Sequence, residues 1–512
     1  MVKKLIKNYP KIIVSFLFIF VIIIRWKVLY NFCFLFTDND QLVLWDAAKD
    51  MSQGIFHEPC FYGQAYNPLF EPLFAQPLIL AGISLRISLP LISGLFGLLP
   101  YILLGWGCYK REQYISAAFA LGLLLWLPIE FHVITSIPRG YLPACCFAAL
   151  GIYFVMFTDH KWRFFWFAFL SLIAIVTSQN SVLLVLPVAV YILLKHFKEP
   201  KLYTQSAVGF LTSLPLPLFI YLFYKTHPSY NFHELELNFD LDSFQQTLKN
   251  TDLYFNYLSP SPSHKLLLIL SFFGFFILLC FFKRNIKAGL SIIAALFFFL
   301  FTLSFDKSQD GTANMFYSSV RIFLGVPIAF IIFCAWGEAP NYSIEIQNNL
   351  KFVLLIMLLI IGSIYFYRDS EKLNVIVNNE SRKTEIIVSD KVSHSRQLCD
   401  QIANLCRSNK SNLVILDSTM ADVNYMCPVL NYSFITMIPD YERRTWIMQK
   451  EDTVIRKDFI YLSQDSLKMQ KHLTGVVSFK KINEEPPAYL VETLGKNVFK
   501  ILNDMHIDVR PH

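Results

Sequence analysis

The chain has 512 residues, of which 54% are hydrophobic and 16% are charged, against roughly 25% charged residues in soluble globular proteins. Its mean hydropathy is +0.44, and its apolar residues come in blocks long enough to cross a bilayer, which excludes an ordinary soluble protein and predicts a polytopic α-helical membrane protein. The net charge of +7 does not indicate nucleic-acid binding, because the Lys and Arg residues lie mainly in short loops between the apolar blocks.

The first element is an apolar run beginning at Ile12, which follows the basic leader MVKKLIKNYPK. The leader resembles a signal peptide without a small-residue cleavage site, so we expect an uncleaved first span with a cytoplasmic N-terminus. The short run 73–85 is predicted to be re-entrant or interfacial. Further spans are predicted near 89–109, 114–129, 138–158, 162–178, 181–195, 203–224, 264–282, 288–305, 316–335 and 351–366. Together they make about eleven helices of a length that crosses a bilayer.

The basic loops predict the orientation of these spans. With the N-terminus inside, the cytoplasmic segments are 1–11, 110–113, 159–161, 196–202, 283–287 and 336–350, and all of them except 336–350 contain Lys or Arg. The loops on the other side are acidic or mixed in charge, as the positive-inside rule requires. This orientation puts 37–73 and everything after 366 outside the cytoplasm.

The composition changes after the last predicted span. Strand-like runs at 412–417, 433–438 and 458–463 alternate with helix-like, polar-faced stretches such as 393–407, which predicts a small α/β domain of about 140 residues. We therefore expect a membrane domain over 1–366 and a soluble extracytoplasmic domain over 367–512. A disulfide among Cys399, Cys406 and Cys427 and three free thiols are both compatible with the sequence.

The loop between the first two long spans contains the densest group of polar residues next to the membrane. Asp38-Asn39-Asp40 places two carboxylates two residues apart directly after the first span, and ionisable groups at a membrane edge mark functional sites. Such a pair suits a general base, a metal site or both. The structural alternative is that Asp40 caps a helix over about 41–53 and that Asp38 is solvated.

Further along, the loop contains Trp45-Asp46-Ala47-Ala48, a turn at Asp50-Met51-x-x-Gly54, the aromatic stretch Phe61-Tyr62-Gly63-Gln64 and a Pro- and Leu-rich return to the membrane. This series resembles the first extracytoplasmic loop of the GT-C glycosyltransferases. The pattern is most similar to the branch of the protein O-mannosyltransferases and the lipid A aminoarabinose transferases. The resemblance covers the membrane part in layout and is residue-specific only in 38–77.

The resemblance implies an inverting glycosyltransferase. It would move a sugar from a polyprenyl-phosphate donor to an extracytoplasmic acceptor, which is a glycan, a lipid or a protein of the envelope. The family's loop carboxylate falls on Asp40. The chain departs from the branch at Gln41, where Glu is usual, so Asp38 or Glu71 is the candidate for a second acid. It departs again at Asn67-Pro68, where some relatives carry Lys-Pro-Pro.

A departing phosphate requires positive charge or N–H donors. The candidate donor-binding residues are Arg139, Arg321, His132, Tyr62 and Gln64. The arginines could equally be interfacial residues that extend toward water, and His132 is more typical of a satisfied interfacial histidine. Asp310, in a short outer loop, is the candidate for acceptor binding, with a simple turn as the alternative.

The sequence predicts no set of metal ligands, and the one cofactor that it leaves open is a divalent cation. Two other function classes also stay open. A transporter or flippase of a lipid-linked saccharide would usually carry its polar residues near the bilayer midplane, whereas the acids here lie in outer loops. A non-catalytic envelope-assembly protein would tolerate replacement of the carboxylates in 38–71.

Overall fold

The structure is a computed structural model that describes residues 2–232, 239, 241–250, 252, 255, 257–259, 264–305, 323–338, 344–378, 390–417, 420–463 and 478–510. Its helices are α1 (Val2–Val28), α2 (Asn39–Ser52), α3 (Phe70–Leu80), α4 (Leu85–Lys110), α5 (Tyr114–Trp126), α6 (Ile129–Ile134), α7 (Leu142–Phe157), α8 (Arg163–Thr177), α9 (Val182–His196), α10 (Pro200–Ser213), α11 (Pro215–Thr226), α12 (Leu241–Lys249), α13 (Lys265–Phe282), α14 (Ile286–Thr302), α15 (Gly325–Gly337), α16 (Ile344–Asn378), α17 (Val392–Asn409), α18 (Ala421–Val429), α19 (Thr445–Thr453) and α20 (Val498–Asp504). Its strands are β1 (Phe36–Thr37), β2 (Asp390–Lys391), β3 (Leu413–Leu416), β4 (Ile435–Met437), β5 (Asp458–Leu462), β6 (Phe479–Asn483) and β7 (Ala488–Glu492).

Every predicted span contains a helix. Six of the described helical segments are long and apolar enough to cross a bilayer: Tyr9–Cys33, Leu85–Lys110, Gln179–His196, Pro200–Thr226, Lys265–Phe282 and Phe352–Val375. Five further apolar helices of the described chain are shorter, namely α5, α7, α8, α14 and α15. The chain is thus a mostly helical polytopic membrane protein.

The chain forms two compact units. The first contains Met1–Cys33, Pro90–Leu218 and Leu235–Val388, and the second contains Phe34–Leu89, Phe219–Glu234 and Ser389–His512. The second unit therefore joins the first loop to the C-terminal part of the chain. The boundary at 366/367 between a membrane domain and a soluble domain stays a prediction.

The first unit is built from packed apolar helices. In it α7 packs on α8, α8 on α10, α5 on α16 and α13 on α14. Close packing explains Gly97 on α4, where an added Cβ would lie 2.1 Å from the backbone oxygen of Thr135. Small residues allow helix backbones to approach in this way inside a membrane, where the hydrophobic effect does not drive association.

The second unit contains a five-stranded sheet in the order β4-β3-β5-β7-β6. Strand β3 is parallel to β4 and β5, and β7 is antiparallel to β5 and β6. The apolar run 412–417 becomes the fully buried strand β3, as expected of a central strand covered on both faces. The core of this sheet includes Leu413, Ile415, Met437, Phe459, Tyr461 and Val491.

Two further connections tie the second unit together. The backbone of β1, directly before α2, pairs antiparallel with β2. A disulfide joins Cys399 on α17 to Cys427 on α18, with 5.4 Å between their Cα atoms, whereas Cys406 is a buried free thiol. The pairing that the sequence left open is therefore Cys399–Cys427.

Candidate functional site

The candidate site lies in the second unit and begins at the N-terminus of α2. Asp38 precedes the helix in an extended conformation, and its Oδ1 accepts a hydrogen bond from the backbone N–H of Gln41 at 3.0 Å. Its Oδ2 accepts a second bond from the side chain of Gln41 at 3.3 Å. The structural alternative, in which Asp40 caps the helix and Asp38 is solvated, is wrong: Asp38 is the cap, and it is buried. An extended residue is needed at the N-cap position, and the residue after β1 provides it.

Asp40 lies in the first turn of α2 and forms an ion pair with a residue from the far end of the chain. Arg443 Nη2 donates to Asp40 Oδ1 at 2.8 Å, and the two side chains are 9% and 12% exposed, respectively. The guanidinium of Arg443 lies 4.9 Å from the ring centre of Phe61 and 5.2 Å from that of Tyr441. Asp40 is therefore enclosed by protein rather than by bulk water.

The loop that carries Arg443 is fixed by a buried network next to it. Arg444 donates to Glu442 Oε1 at 2.7 Å, to Asn424 Oδ1 at 2.9 Å and to the carbonyl of Thr436 at 2.9 Å. Burial raises the pKa of Glu442, but the charge and hydrogen bonds of Arg444 outweigh burial and lower that pKa below its ordinary value. These hydrogen bonds hold the charged pair of Arg444 and Glu442 inside the protein and fix the loop that follows β4.

Asp46 lies on the same helix as Asp40 and is buried. Burial raises the pKa of its carboxyl to about 7, and the positive charge of Arg444 opposes that shift. A carboxyl that titrates near neutral pH exchanges a proton readily, which is a property of functional sites as well as of buried ionic networks.

Asp50 follows one turn after Asp46 on α2 and faces aromatic residues. Asp50 Oδ2 accepts a hydrogen bond from Tyr62 Oη at 2.9 Å and lies 3.6 Å from His57 Nε2. The His57 ring stacks on Trp446 with 3.6 Å between ring centres, and Tyr62 meets Trp446 edge-on at 4.8 Å. Burial raises the pKa of Asp50 and lowers the pKa of His57.

Glu58 is a further acidic residue of the loop. Its Oε1 accepts a bond from the backbone N–H of Gly63 at 3.1 Å, and its Oε2 accepts one from Tyr224 Oη at 2.9 Å. The same tyrosine hydroxyl lies 2.9 Å from the carbonyl oxygen of Gln64. Burial raises the pKa of Glu58 well above its ordinary value, although the hydrogen bonds that it accepts from Tyr224 and Gly63 oppose this shift.

The remaining predicted site residues do not all join this cluster. Glu71 is fully buried in the first turn of α3. His132 and Arg139 are buried in the first unit, where the His132 ring bonds to the carbonyl of Leu124 at 3.0 Å. Asp310 and Arg321 lie outside the described residues. Their roles in donor and acceptor binding stay predictions, as does the role of the Gln64 side chain.

A metal site was left open because of the paired carboxylates. Among the residues that the structure describes, no group of three or more His, Cys, Asp or Glu side chains is arranged to hold a metal ion. The carboxyl, imidazole and guanidinium groups of this cluster can transfer protons and stabilise charge.

The sequence interpretation missed the contribution of the C-terminal segment to this cluster. Glu442, Arg443, Arg444 and Trp446 all follow β4 within ten residues. Functional residues collect at the carboxyl ends of parallel strands, so two adjacent arginines directly after a predicted strand were a usable signal.

Comparison with known proteins tests the fold as a whole. No protein-family model and no curated protein matches the chain. Among solved structures, the chain is similar to the crystal structure of ArnT from Cupriavidus metallidurans in the apo state, with 14% sequence identity and a TM-score of 0.58 over 97% of this chain and 99% of that one. The chain is thus an integral membrane protein that shares the fold of this ArnT structure.

Proposed function

We propose that the chain is an inverting glycosyltransferase that moves a sugar from a polyprenyl-phosphate donor to an extracytoplasmic glycan, lipid or protein. The observation that carries the proposal is the similarity to ArnT along nearly the whole chain, combined with a buried carboxylate at the start of α2. A fold is shared by proteins of different functions, so the site has to support the chemistry.

Asp40 is the proposed general base. Its carboxylate takes the proton of the acceptor hydroxyl, whose oxygen attacks the anomeric carbon as the bond to the phosphate oxygen breaks. The polyprenyl phosphate departs with the bonding electrons, and the configuration at the anomeric carbon inverts. Asp38 supports this role by fixing the helix start that presents Asp40.

The proposed topology has eleven crossings, with the N-terminus in the cytoplasm and the sheet-containing C-terminal part outside it. The five shorter apolar helices then cross together with the six long ones. The distribution of Lys and Arg supports this orientation. The disulfide between Cys399 and Cys427 supports it independently, because such bonds persist mainly outside the reducing cytosol.

The test is transfer of radiolabelled mannose, glucose or aminoarabinose from undecaprenyl phosphate to envelope extracts by the purified protein. We expect Asp40→Asn to lower the rate by about 100-fold to 10,000-fold, the usual effect of losing a general base. Asp508→Asn, at an exposed position, is the matched control and should keep most of the activity. Full activity of Asp40→Asn would contradict the assignment, and the absence of transfer from all donors by the wild-type protein would contradict the function.

A further inference from the structure

The ion pair between Asp40 and Arg443 joins two parts of the second unit that are distant in sequence. Asp40 belongs to the loop after the first span, and Arg443 follows β4 near the C-terminus, 403 positions later. Both side chains are buried, and their charged atoms are 2.8 Å apart. A buried charge pair of this kind is not needed for stability, because apolar residues of similar size often stabilise a protein as well.

Other contacts of Arg443 fix its side chain next to Asp40. Its Nη2 also donates to Tyr441 Oη at 2.8 Å, and its backbone N–H donates to Tyr425 Oη at 3.3 Å. Its guanidinium lies over the ring of Phe61, which contributes a cation–π attraction. A planar guanidinium between fixed partners presents its donor in one direction only.

The elements that carry the two residues are also fastened to each other. Helix α2 packs on α18, and Lys49 Nζ near the end of α2 donates to the carbonyl of Pro428 on α18. The disulfide from Cys427 then ties α18 to Cys399 on α17. The position of Asp40 is thus fixed in two ways. The Asp38 cap and Arg443 hold the start of α2, and α18 packs along its length.

We infer that Arg443 is a positioning residue that orients the Asp40 carboxylate for catalysis, so that the C-terminal segment completes the reaction centre. This inference rests on the proposed glycosyl transfer with Asp40 as the base. The guanidinium fixes Oδ1 and thereby limits rotation of the carboxylate. It acts through Asp40 and not on the substrate, so removing it affects turnover more than donor binding.

The test is the steady-state kinetics of Arg443→Gln and Arg443→Lys in the full chain, with the labelled undecaprenyl-phosphate donor that wild type uses. We expect Arg443→Gln to lower kcat by about 100-fold, as small displacements of reacting groups do, with the donor KM changed by less than about threefold. Arg443→Lys should fall between wild type and Arg443→Gln, since it keeps the charge and loses the planar fork.

Arg456→Gln is the matched control. Arg456 forms a partly buried pair with Glu451 in the same C-terminal segment, so its loss lowers the Tm without touching Asp40. We expect this variant to keep kcat within about threefold of wild type. If kcat falls in proportion to Tm in both variants, Arg443 is merely structural and the inference is wrong.

A double-mutant cycle with Asp40→Glu distinguishes action through Asp40 from a direct contact with substrate. The longer side chain already displaces the carboxylate, so Arg443→Gln should lower kcat by less than about tenfold in that background. Fully additive losses would overturn the inference. If the wild-type protein is active and Arg443→Gln is unimpaired, only this inference is contradicted. If the wild-type protein is inactive, the proposed function is contradicted as well.

Discussion

Asp46 shows how a single buried residue couples the site to pH. Its carboxyl is 5% exposed, and burial raises its pKa from 3.8 to about 7 although Arg444 opposes the shift. Between these two values the folded protein binds a proton that the unfolded chain has already released. The free energy of unfolding contributed by Asp46 therefore decreases as the pH rises from about 4 to about 7, and the decrease has an upper limit of about 1.4 kcal/mol per pH unit.

Asp46→Asn should remove this contribution. We expect the Tm of the variant to fall less than the Tm of wild type when the pH is raised from about 4 to about 7, because a neutral amide has no proton to release. The measurement is thermal unfolding in detergent at a series of pH values. Asp508→Asn, at an exposed position, is the control and should follow wild type. An identical pH slope in Asp46→Asn and wild type would show that Asp46 does not titrate in this range.

At the scale of elements, the turn between α2 and α3 depends on glycine. Gly63 has φ of +85°, and a Cβ added there would lie 2.3 Å from Cε1 of Phe232. The Phe232 ring cannot yield easily, because the guanidinium of Arg510 lies 4.1 Å from its centre. The N–H of Gly63 also donates to Glu58. The Phe-Tyr-Gly-Gln stretch is thus a compact turn whose geometry keeps Tyr62 against Asp50.

Gly63→Ala should destabilise the second unit by more than Gly54→Ala. Gly54 also has a positive φ, +74°, but nothing lies within 4 Å of an added Cβ, so only backbone strain of about 1 kcal/mol applies there. At Gly63 the added Cβ also overpacks against Phe232, which should increase the destabilisation by roughly 1–3 kcal/mol. Thermal unfolding of both variants measures the difference. Equal Tm values would mean that Phe232 moves aside.

At the scale of the whole molecule, the candidate site belongs to the second unit, which is built from three separate stretches of chain. The cap and the proposed base come from the first loop, Tyr224 from the end of α11, and Arg443 from the C-terminal segment. The disulfide between Cys399 and Cys427 stabilises this assembly, because it closes a loop with a sequence separation of 28.

Replacing both Cys399 and Cys427 with Ala should lower the free energy of unfolding by roughly 3.6 kcal/mol, the value for a loop of this length. Thermal unfolding measures the loss, and Cys406→Ser, which leaves the pair intact, is the control. The location of the C-terminal part is then tested by thiol labelling of the wild-type protein, which is denatured after its membranes have been alkylated. Free thiols at both Cys399 and Cys427 of the wild-type protein would contradict an extracytoplasmic C-terminal part.

The sequence by itself determined the elements whose signals are local. Apolar blocks of sufficient length specify membrane helices wherever they lie, because each helix satisfies its own backbone hydrogen bonds. The strand-like run at 412–417 and the helix-like stretch at 393–407 became β3 and α17 for the same reason, since hydrophobic period is a local property. The resemblance of the first loop to that of the GT-C glycosyltransferases likewise rests on residues that follow one another in the chain.

Only the tertiary structure decided which residues meet. Asp38 and Asp40 are equivalent as caps in sequence, and the choice between them depends on where β1 ends after pairing with β2. The partner of Asp40 lies 403 positions away, and the choice of Cys427 over Cys406 as the partner of Cys399 follows from how α17 packs on α18. Contacts of this kind arise from packing between distant segments, and no local pattern encodes them.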